Sequence, residues 1–247
     1  MADVRIFSDR AEMAAAAAEH FTEVIAKALA ENGEASVAAA GGSTPKVLYE
    51  LLAGDEYRER INWRKMLVAI GDERDVPPDD ERSNFRMVSR SLLLPLDVSD
   101  DNIVKWETAN GKPEQIAERF ERSLKTAFGL GSGKVPRFDL IMLGIGADGH
   151  TASLFPDTKA LSESERIAAA NYVPQLGERR FTITFPVINN AKNVMFLVAG
   201  ADKAEAVKRI VEGTGNDDPL PASLVRPTGG TVTWFLERDA ARLLKRV

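Results

Sequence analysis

The chain has 247 residues, no cysteine and two histidines, and its 32 basic and 37 acidic side chains give a net charge of −5 at pH 7. Without cysteine, a disulfide, a thiol nucleophile and a zinc–thiolate site are excluded, and His20 and His150 are too few for a three-histidine metal centre. The acidic balance argues against sequence-independent nucleic-acid binding, which relies on clustered Lys and Arg.

Nothing in the sequence indicates a membrane or a secretory route. No run approaches the roughly 18 apolar residues that a spanning helix needs. A signal peptide begins with a basic segment that an apolar segment follows, whereas the first ten residues here contain the acids Asp3 and Asp9. We therefore expect a soluble protein of a reducing compartment, most simply the cytoplasm.

Helical and strand-like segments alternate along the chain. Asp9 and Glu12 have the spacing of a capping box, and Pro45 and Pro113 suit the first position of a helix. In chain order, the patterns predict a helix from Asp9 to Gly33, a strand over Ser36–Ala40, a helix from Pro45 to Gly54, a strand over Lys65–Ile70, a helix capped by Ser83 and running through Leu92, a helix from Pro113 through Leu124, strands over Phe138–Leu143, Arg180–Phe185 and Val194–Ala199, a helix over Ala204–Val211, a strand over Thr231–Leu236 and a helix over Asp239–Leu244.

This alternation favours an α/β fold, with a parallel or mixed sheet covered by helices on both faces. No shift in composition marks a boundary, so a single domain over residues 1–247 is expected, with Thr214–Pro221 as a surface connection. In such folds ligands bind where strands end and helices begin. Four of these junctions carry unusual residues.

The first junction is Gly41-Gly42-Ser43-Thr44. The glycines allow a close approach of the backbone, and hydroxyls with free N–H groups at a helix start suit a phosphate group. The alternative is a tight turn in which Ser43 or Thr44 caps the helix. The segment is not a Walker loop, because the G-x-x-x-x-G-K-[ST] pattern is missing.

The second junction, Asp72-Glu73-Arg74-Asp75, follows a predicted buried strand directly. Packing three acidic side chains and one arginine into a core would cost free energy, whereas the same residues are plausible in a polar site. In such a site Arg74 would bind a substrate oxygen through a charge-assisted hydrogen bond. The alternative is a solvated charged turn.

The third junction contains Gly144, Gly146 and Gly149 in a G-x-G-x-x-G pattern after a strand. As a dinucleotide fingerprint it is weak, because Pro156 limits the following helix and the motif is not in the first βα unit. Asp148 and His150 are more informative. An imidazole can take a proton from water and return it to a leaving oxygen, while a carboxylate two residues away fixes its tautomer. The alternative is a structural histidine.

The fourth set is cationic. Arg179 and Arg180 precede a predicted strand, and Lys203 lies at a predicted helix start. In an acidic protein they would attract an anionic substrate locally, although singly each is more often a surface charge. No G-x-S-x-G elbow and no H-E-x-x-H motif occurs, which disfavours a serine acyl-enzyme and a metal site.

Together these segments resemble the glucosamine-6-phosphate isomerase/6-phosphogluconolactonase family, and specifically its lactonases. The resemblance runs almost from end to end, and its order and spacing are specific. It rests on Ala-Gly-Gly-Ser-Thr-Pro at 40–45, Gly-Asp-Glu-Arg at 71–74, Ser-Asn-Phe-Arg-Met at 83–87, Gly-Ile-Gly-Ala-Asp-Gly-His-Thr-Ala-Ser-Leu-Phe-Pro at 144–156, Arg-Phe-Thr-Ile-Thr at 180–184, Ala-Asp-Lys at 201–203, Pro-Ala-Ser at 221–223, and Trp234.

The resemblance implies a Rossmann-like, doubly wound sheet and the hydrolysis of 6-phospho-D-glucono-1,5-lactone to 6-phospho-D-gluconate, without a cofactor. His150 would be the acid and base, Asp148 its partner, and Arg74 the stabiliser of the oxyanion. The phosphate would bind at Gly42, Ser43, Thr44, Arg180 and Lys203, with Asp72 near the sugar hydroxyls.

Two alternatives stay open. One is an amino-sugar-phosphate deaminase or aldose–ketose isomerase of the same fold, but the deaminase loop resembles Asp-Gly-His followed by Ile-Ala-Phe-Asn-Glu-Pro, and here Thr151–Pro156 contains no acid. The other is a catalytically silent phosphosugar-binding regulator, which would not need Asp148 and His150.

Overall fold

The computed structural model describes residues 2–213 and 219–245. The strands are β1 (Asp3–Phe7), β2 (Ala35–Ala39), β3 (Met66–Ile70), β4 (Asp72–Arg74), β5 (Ile103–Val104), β6 (Leu140–Leu143), β7 (Ala168–Val173), β8 (Glu178–Ile183), β9 (Asn193–Val198) and β10 (Thr231–Glu237). The α-helices are α1 (Arg10–Asn32), α2 (Ser43–Leu52), α3 (Asp55–Arg58), α4 (Asn84–Val88), α5 (Pro113–Ala127), α6 (Phe185–Ile188), α7 (Ala204–Val211) and α8 (Arg238–Ala241).

Seven strands form one sheet in the order β1-β10-β9-β6-β2-β3-β5, and every neighbouring pair is parallel. From β2 the chain proceeds outward through β3 and β5, and it then returns to β6 and proceeds the other way through β9 and β10. The direction therefore reverses between β2 and β6. In open α/β sheets the crevice at the carboxyl ends of such a pair is where ligands bind.

A second, antiparallel sheet stands beside this edge, in the order β4-β8-β7. β4 begins two residues after the end of β3, so the small sheet extends from the carboxyl edge of the large one. Its register pairs Arg74 with Arg180 and Asp72 with Thr182. The polar residues of the second predicted junction are thereby fixed in a strand.

Helices flank the large sheet, and its central strands are buried along their whole length. All five residues of β2 and all four of β6 are buried, as expected for strands covered on both faces. Ile116, Phe120 and Leu124 form the buried stripe of α5, and Phe120 stacks on Trp106 with 3.7 Å between ring centroids.

The predicted α/β, Rossmann-like architecture is confirmed, and most helix boundaries agree with the sequence patterns. Asp9 caps α1 by accepting hydrogen bonds from the backbone of Ala11 and Glu12, and Gly33 ends the helix in the left-handed conformation. Ser83 caps α4, and Pro113 is the first residue of α5.

Several boundaries differ from the predictions. Pro45 is the third residue of α2 because Gly42 is its N-cap. Arg179 and Arg180 lie inside β8, whose pairing with β7 begins at Glu178. The last helix, Arg238–Ala241, is shorter than predicted, and β1, β4, β5 and β7 were not predicted.

The predicted connection Thr214–Pro221 lies largely outside the described residues. Within the described part of the chain, no helix is both long and apolar enough to cross a membrane.

Candidate active site

Three of the four unusual junctions follow β2, β3 and β6 of the large sheet, and Lys203 of the fourth set follows β9. The carboxyl ends of β9, β6, β2 and β3 stand side by side. A cavity of about 150 Å³ opens at the reversal between β2 and β6. It is lined by Ala39, Ala40, Gly41, Gly71, Asp72, Arg74, Asn84, Met142, Leu143, Gly144, Ile145, His150 and Ala152.

His150 is joined to Asp148 inside the loop that follows β6. Its Nδ1 lies 2.6 Å from Oδ1 of Asp148, and the backbone N–H of His150 donates to the same oxygen at 3.1 Å. Since an ionised carboxylate only accepts, Nδ1 carries the proton and Nε2 is left as an acceptor. Within residues 2–213 and 219–245, Nε2 has no hydrogen-bond partner.

The loop geometry depends on a glycine and an aromatic ring. A Cβ on Gly146 would overlap both the imidazole of His150 and the carboxylate of Asp148, so only glycine allows the two side chains to meet there. On its other side, the imidazole stacks on Phe155 with 3.9 Å between ring centroids and 24° between planes. The imidazole is therefore held by one hydrogen bond and one ring contact.

The carboxyl of Asp148 is partly buried, which raises its pKa, but the hydrogen bonds and charge of His150 outweigh burial and the net pKa lies below the usual range. Asp148 therefore stays ionised throughout the neutral range. An ionised partner stabilises an imidazolium and keeps Nε2 free to accept a proton.

Arg74 brings a cation into the cavity. Its Nη1 donates to the backbone carbonyl of Arg82, and among the described residues it forms no ion pair. Its neighbour across the small sheet is Arg180. A guanidinium with donors to spare, in the same cavity as the imidazole of His150, can stabilise a developing oxyanion.

The start of α2 offers uncommitted donors next to Gly41. Gly42 is the N-cap, and no side chain caps the helix, so the alternative in which Ser43 or Thr44 acts as the cap is wrong. In the part of the chain that the structure describes, the N–H groups and hydroxyls of Ser43 and Thr44 have no acceptor. Free N–H groups and the helix dipole make such a terminus suited to an anion.

The other two predicted cations lie outside the cavity and are paired with exposed acids. Arg180 donates to Glu178 at 2.5 Å and faces a neighbouring depression of about 350 Å³. Lys203, in the turn after β9, bonds Asp202 at 2.6 Å and lowers the pKa of that carboxyl. The acid of each pair is exposed to solvent, 42% for Glu178 and 64% for Asp202, so an anionic ligand can replace it beside the cation.

Asp72 lines the cavity with both carboxylate oxygens engaged. Oδ2 accepts from the hydroxyl of Ser153 at 2.7 Å, and Oδ1 accepts from the amide of Asn84 at 3.2 Å. Sequence reasoning missed Asn84 and Ser153 as site residues, although both lie in segments that carry the family resemblance, because their contacts with Asp72 join residues far apart in the chain.

The structure thus brings Asp72, Arg74 and His150 into one cavity, with Asp148 bonded to His150. It places Gly42, Ser43 and Thr44 at the adjoining helix start, and Arg180 and Lys203 elsewhere around the same sheet edge. A larger depression of about 1050 Å³ near Arg226 and Trp234 contains none of these residues. Across the described residues, no group of three or more His, Cys, Asp or Glu is arranged to hold a metal ion.

A family model described as glucosamine-6-phosphate isomerases/6-phosphogluconolactonase matches residues 8–234. The chain belongs to this family. It is 42% identical over 224 residues to a 6-phosphogluconolactonase of Synechocystis sp., covering 91% of this chain and 90% of that protein. The family membership agrees with the resemblance that the motifs indicate.

Solved structures of the family share the whole fold. The 6-phosphogluconolactonase of Trypanosoma brucei aligns with a TM-score of 0.87 and 30% identity over 98% of both chains. A monomeric glucosamine-6-phosphate deaminase aligns with a TM-score of 0.79 and 23% identity over 98% of this chain and 99% of that one. Since lactonase and deaminase share the fold, the reaction has to be argued from the site.

Proposed function

We propose that this protein hydrolyses 6-phospho-D-glucono-1,5-lactone to 6-phospho-D-gluconate, the hydrolytic step of the oxidative pentose phosphate pathway. The observation that carries the proposal is the 2.6 Å contact between His150 and Asp148 beside a cavity that also holds Arg74. The relatives named 6-phosphogluconolactonase, 42% identical in Synechocystis sp. and 36% identical in Homo sapiens, support the choice of substrate.

In the proposed reaction, Nε2 of His150 takes a proton from a water molecule as the water oxygen bonds to the lactone carbonyl carbon. The carbonyl oxygen becomes an oxyanion, which Arg74 stabilises, and Asp148 stabilises the imidazolium. The bond between the carbonyl carbon and the ring oxygen then breaks, and the imidazolium returns its proton to that oxygen. The products are a carboxylic acid and a hydroxyl group, and water is the only co-reactant.

The 6-phosphate is proposed to bind at the start of α2. The free N–H groups of Gly42, Ser43 and Thr44 and the two hydroxyls supply donors, and Arg180 and Lys203 supply positive charge. Binding energy from a phosphate remote from the reacting carbon holds the lactone in place without stabilising the transition state in particular. These residues should therefore affect KM more than kcat.

The proposal is tested by an assay with lactone generated immediately before use, corrected for spontaneous hydrolysis. We expect the protein to accelerate lactone loss at pH 7 and to release no ammonia from glucosamine 6-phosphate and form no ketose from an aldose phosphate. Ammonia release or ketose formation without lactonase activity would establish the deaminase or isomerase alternative. Binding of 6-phosphogluconate without any turnover would establish the silent regulator.

A further inference from the structure

Asn84 is a buried residue of the cavity with no role in the proposed chemistry. It is the first residue of α4, it is only 2% exposed, and it lines the cavity together with His150 and Arg74. Its Nδ2 donates to the backbone oxygen of Asp72 at 2.8 Å and to Oδ1 of Asp72 at 3.2 Å. The amide thus clamps both the main chain and the carboxylate of one residue.

The other half of the same amide has no partner. Oδ1 of Asn84 is buried and, among the described residues, accepts no hydrogen bond. It faces Gly41, on which a Cβ would overlap the amide. Rotating the amide would set its oxygen against the oxygens of Asp72 and lose both existing bonds, so the orientation is fixed. A buried acceptor without a hydrogen-bond partner lowers the stability of the folded protein. A contribution to stability therefore does not explain why this position is an asparagine.

Asn84 is itself anchored by a buried carboxylate. Glu73, 2% exposed, accepts hydrogen bonds from the backbone N–H groups of Arg74, Asn84 and Phe85 and from the hydroxyl of Ser83, at 2.7 to 3.0 Å. Burial raises the pKa of Glu73, and the four donors act against that rise. This contact fixes the first turn of α4 to β4 and so fixes the position of Asn84.

Asp72 is held from two sides across the end of β2. Ser153, in the segment that contains His150, bonds one oxygen, and Asn84 bonds the other. A series of hydrogen bonds from Ser153 through Asp72 to Asn84 therefore links the segment after β6 to α4, across the end of β2, which lies between β6 and β3. Each carboxylate oxygen can accept more than one hydrogen bond, so acceptor capacity remains on the cavity side.

We propose that Asn84 is a positioning residue for substrate selection: it holds the carboxylate of Asp72 so that its remaining acceptor capacity receives hydroxyl groups of the sugar. The inference rests on the proposed function. Asn84 acts through Asp72, so its removal should raise KM more than it lowers kcat, and its effect should vanish when Asp72 is absent.

The decisive variant is Asn84→Asp, which keeps the shape and replaces the donor by a carboxyl group. Two carboxyls in contact bind one shared proton much more tightly than either would alone. At low pH the shared proton restores the hydrogen bond to the carboxylate of Asp72, and at higher pH the two charges repel. We expect kcat/KM of the variant to approach that of wild type near pH 5.5 and to fall about tenfold or more below it by pH 8.

Other ionisable groups surround this position, and all are also present in the wild type. Arg74 and His150 line the same cavity, Glu73 anchors α4, and the buried phenol of Tyr49 lies close enough for the charge of Asp72 to act on it. Burial raises the pKa of Tyr49 far above its usual range. A pH dependence found only in Asn84→Asp therefore belongs to the pair of carboxyls.

Three companion variants complete the series. Asn84→Ala should raise KM about tenfold at every pH, and Asn84→Ala in an Asp72→Ala background should add less than about twofold. Asn102→Asp is the matched control, because Asn102 lies just before β5 at the opposite edge of the sheet, and it should leave the pH profile unchanged. Thermal unfolding of each variant confirms that the compared proteins are folded.

A wild-type pH profile in folded Asn84→Asp, or losses that multiply in the double variant, would overturn the inference. Calorimetric binding of 6-phospho-D-gluconate across the same pH range gives a readout that needs no turnover. A wild type that binds this product without hydrolysing the lactone would overturn the proposed function alone, and binding would then decide the role of Asn84. A wild type that does neither would overturn both.

Discussion

Two aspartates lie near the two ends of β6 and differ in their exposure to solvent and in their hydrogen-bond partners. Asp139, just before the strand, has a side chain 9% exposed and accepts from the N–H and hydroxyl of Ser36 and from Nζ of Lys192. Asp148, in the loop after the strand, has a side chain 45% exposed, and among the described residues its one side-chain partner is His150. Both oxygens of Asp139 are therefore engaged, whereas the partner of Asp148 keeps a ring nitrogen without a hydrogen-bond partner among the described residues.

The same contrast holds for the two edges of the sheet. At the amino edge, Asp139, Ser36 and Lys192 are paired with one another. At the carboxyl edge, Arg74, Ser43, Thr44 and Nε2 of His150 are left with unused bonding capacity. Uncommitted polar groups around a concavity are what a ligand can complete, so the comparison predicts that substitutions at the carboxyl edge reduce activity and those at the amino edge reduce stability.

The largest expected effect on activity is that of His150→Ala. Loss of a general acid and base typically costs about 10²- to 10⁴-fold, so kcat on fresh lactone should fall at least about a hundredfold. The melting temperature should stay near that of wild type, because the side chain is 28% exposed. Near-normal turnover in the folded variant would remove His150 from the reaction.

Asp148→Asn should have a smaller effect of the same kind. The amide keeps the shape but cannot stabilise the imidazolium by charge, so we expect kcat to fall about tenfold or more, and less than in His150→Ala. Steady-state kinetics at pH 7 measure this. An unchanged kcat would show that the 2.6 Å contact serves the fold and not the reaction.

Arg180→Ala and Lys203→Ala should each raise KM about tenfold, equivalent to about 1.4 kcal/mol of binding, with kcat nearly unchanged. Each removes a positive charge that is paired here only with an exposed acid. The matched control is Lys192→Ala at the amino edge, which should leave KM as it is. An unchanged KM in both phosphate-site variants would contradict the proposed phosphate site.

Asp139→Ala should have the smallest effect on activity. It leaves the backbone N–H of Ser36, a residue that is 7% exposed, without its carboxylate partner, which should cost about 1–3 kcal/mol of unfolding free energy. Denaturant unfolding measures this loss, and kcat per folded molecule should equal that of wild type. A large loss of kcat in folded protein would break the contrast between the two edges.

Much of this molecule could be predicted from local patterns. The long helix α1 carries its cap at Asp9 and its stop at Gly33, and the apolar runs of β6 and β9 are too continuous for loops. The juxtaposition of the Gly-rich loops also follows, because carboxyl ends of parallel strands share one edge.

The strands that the sequence patterns do not predict have weak local signals. Asp72-Glu73-Arg74 is charged and short, and it is a strand because β8 pairs with it at long range. β7 contains polar and small residues, and its pairing with β8 determines its conformation. β1 completes the large sheet only by pairing with β10, more than 200 residues along the chain.

The charged residues of the candidate site could be predicted from the sequence, but the residues that hold them by hydrogen bonds could not. Asp148 and His150 stand out because imidazoles are rare in this chain. Asn84 and Ser153 act through contacts with Asp72, which is 12 and 81 residues away respectively. No local pattern encodes such distances.

The central claim is that His150 and Asp148 act as one unit, and the kcat of the His150→Ala/Asp148→Asn double variant tests it most directly. Residues that act together give losses that do not multiply. We expect the double variant to turn over fresh lactone within about twofold of His150→Ala alone. A further loss as large as that caused by Asp148→Asn in the wild-type background would show that the two side chains act independently, and would contradict the account.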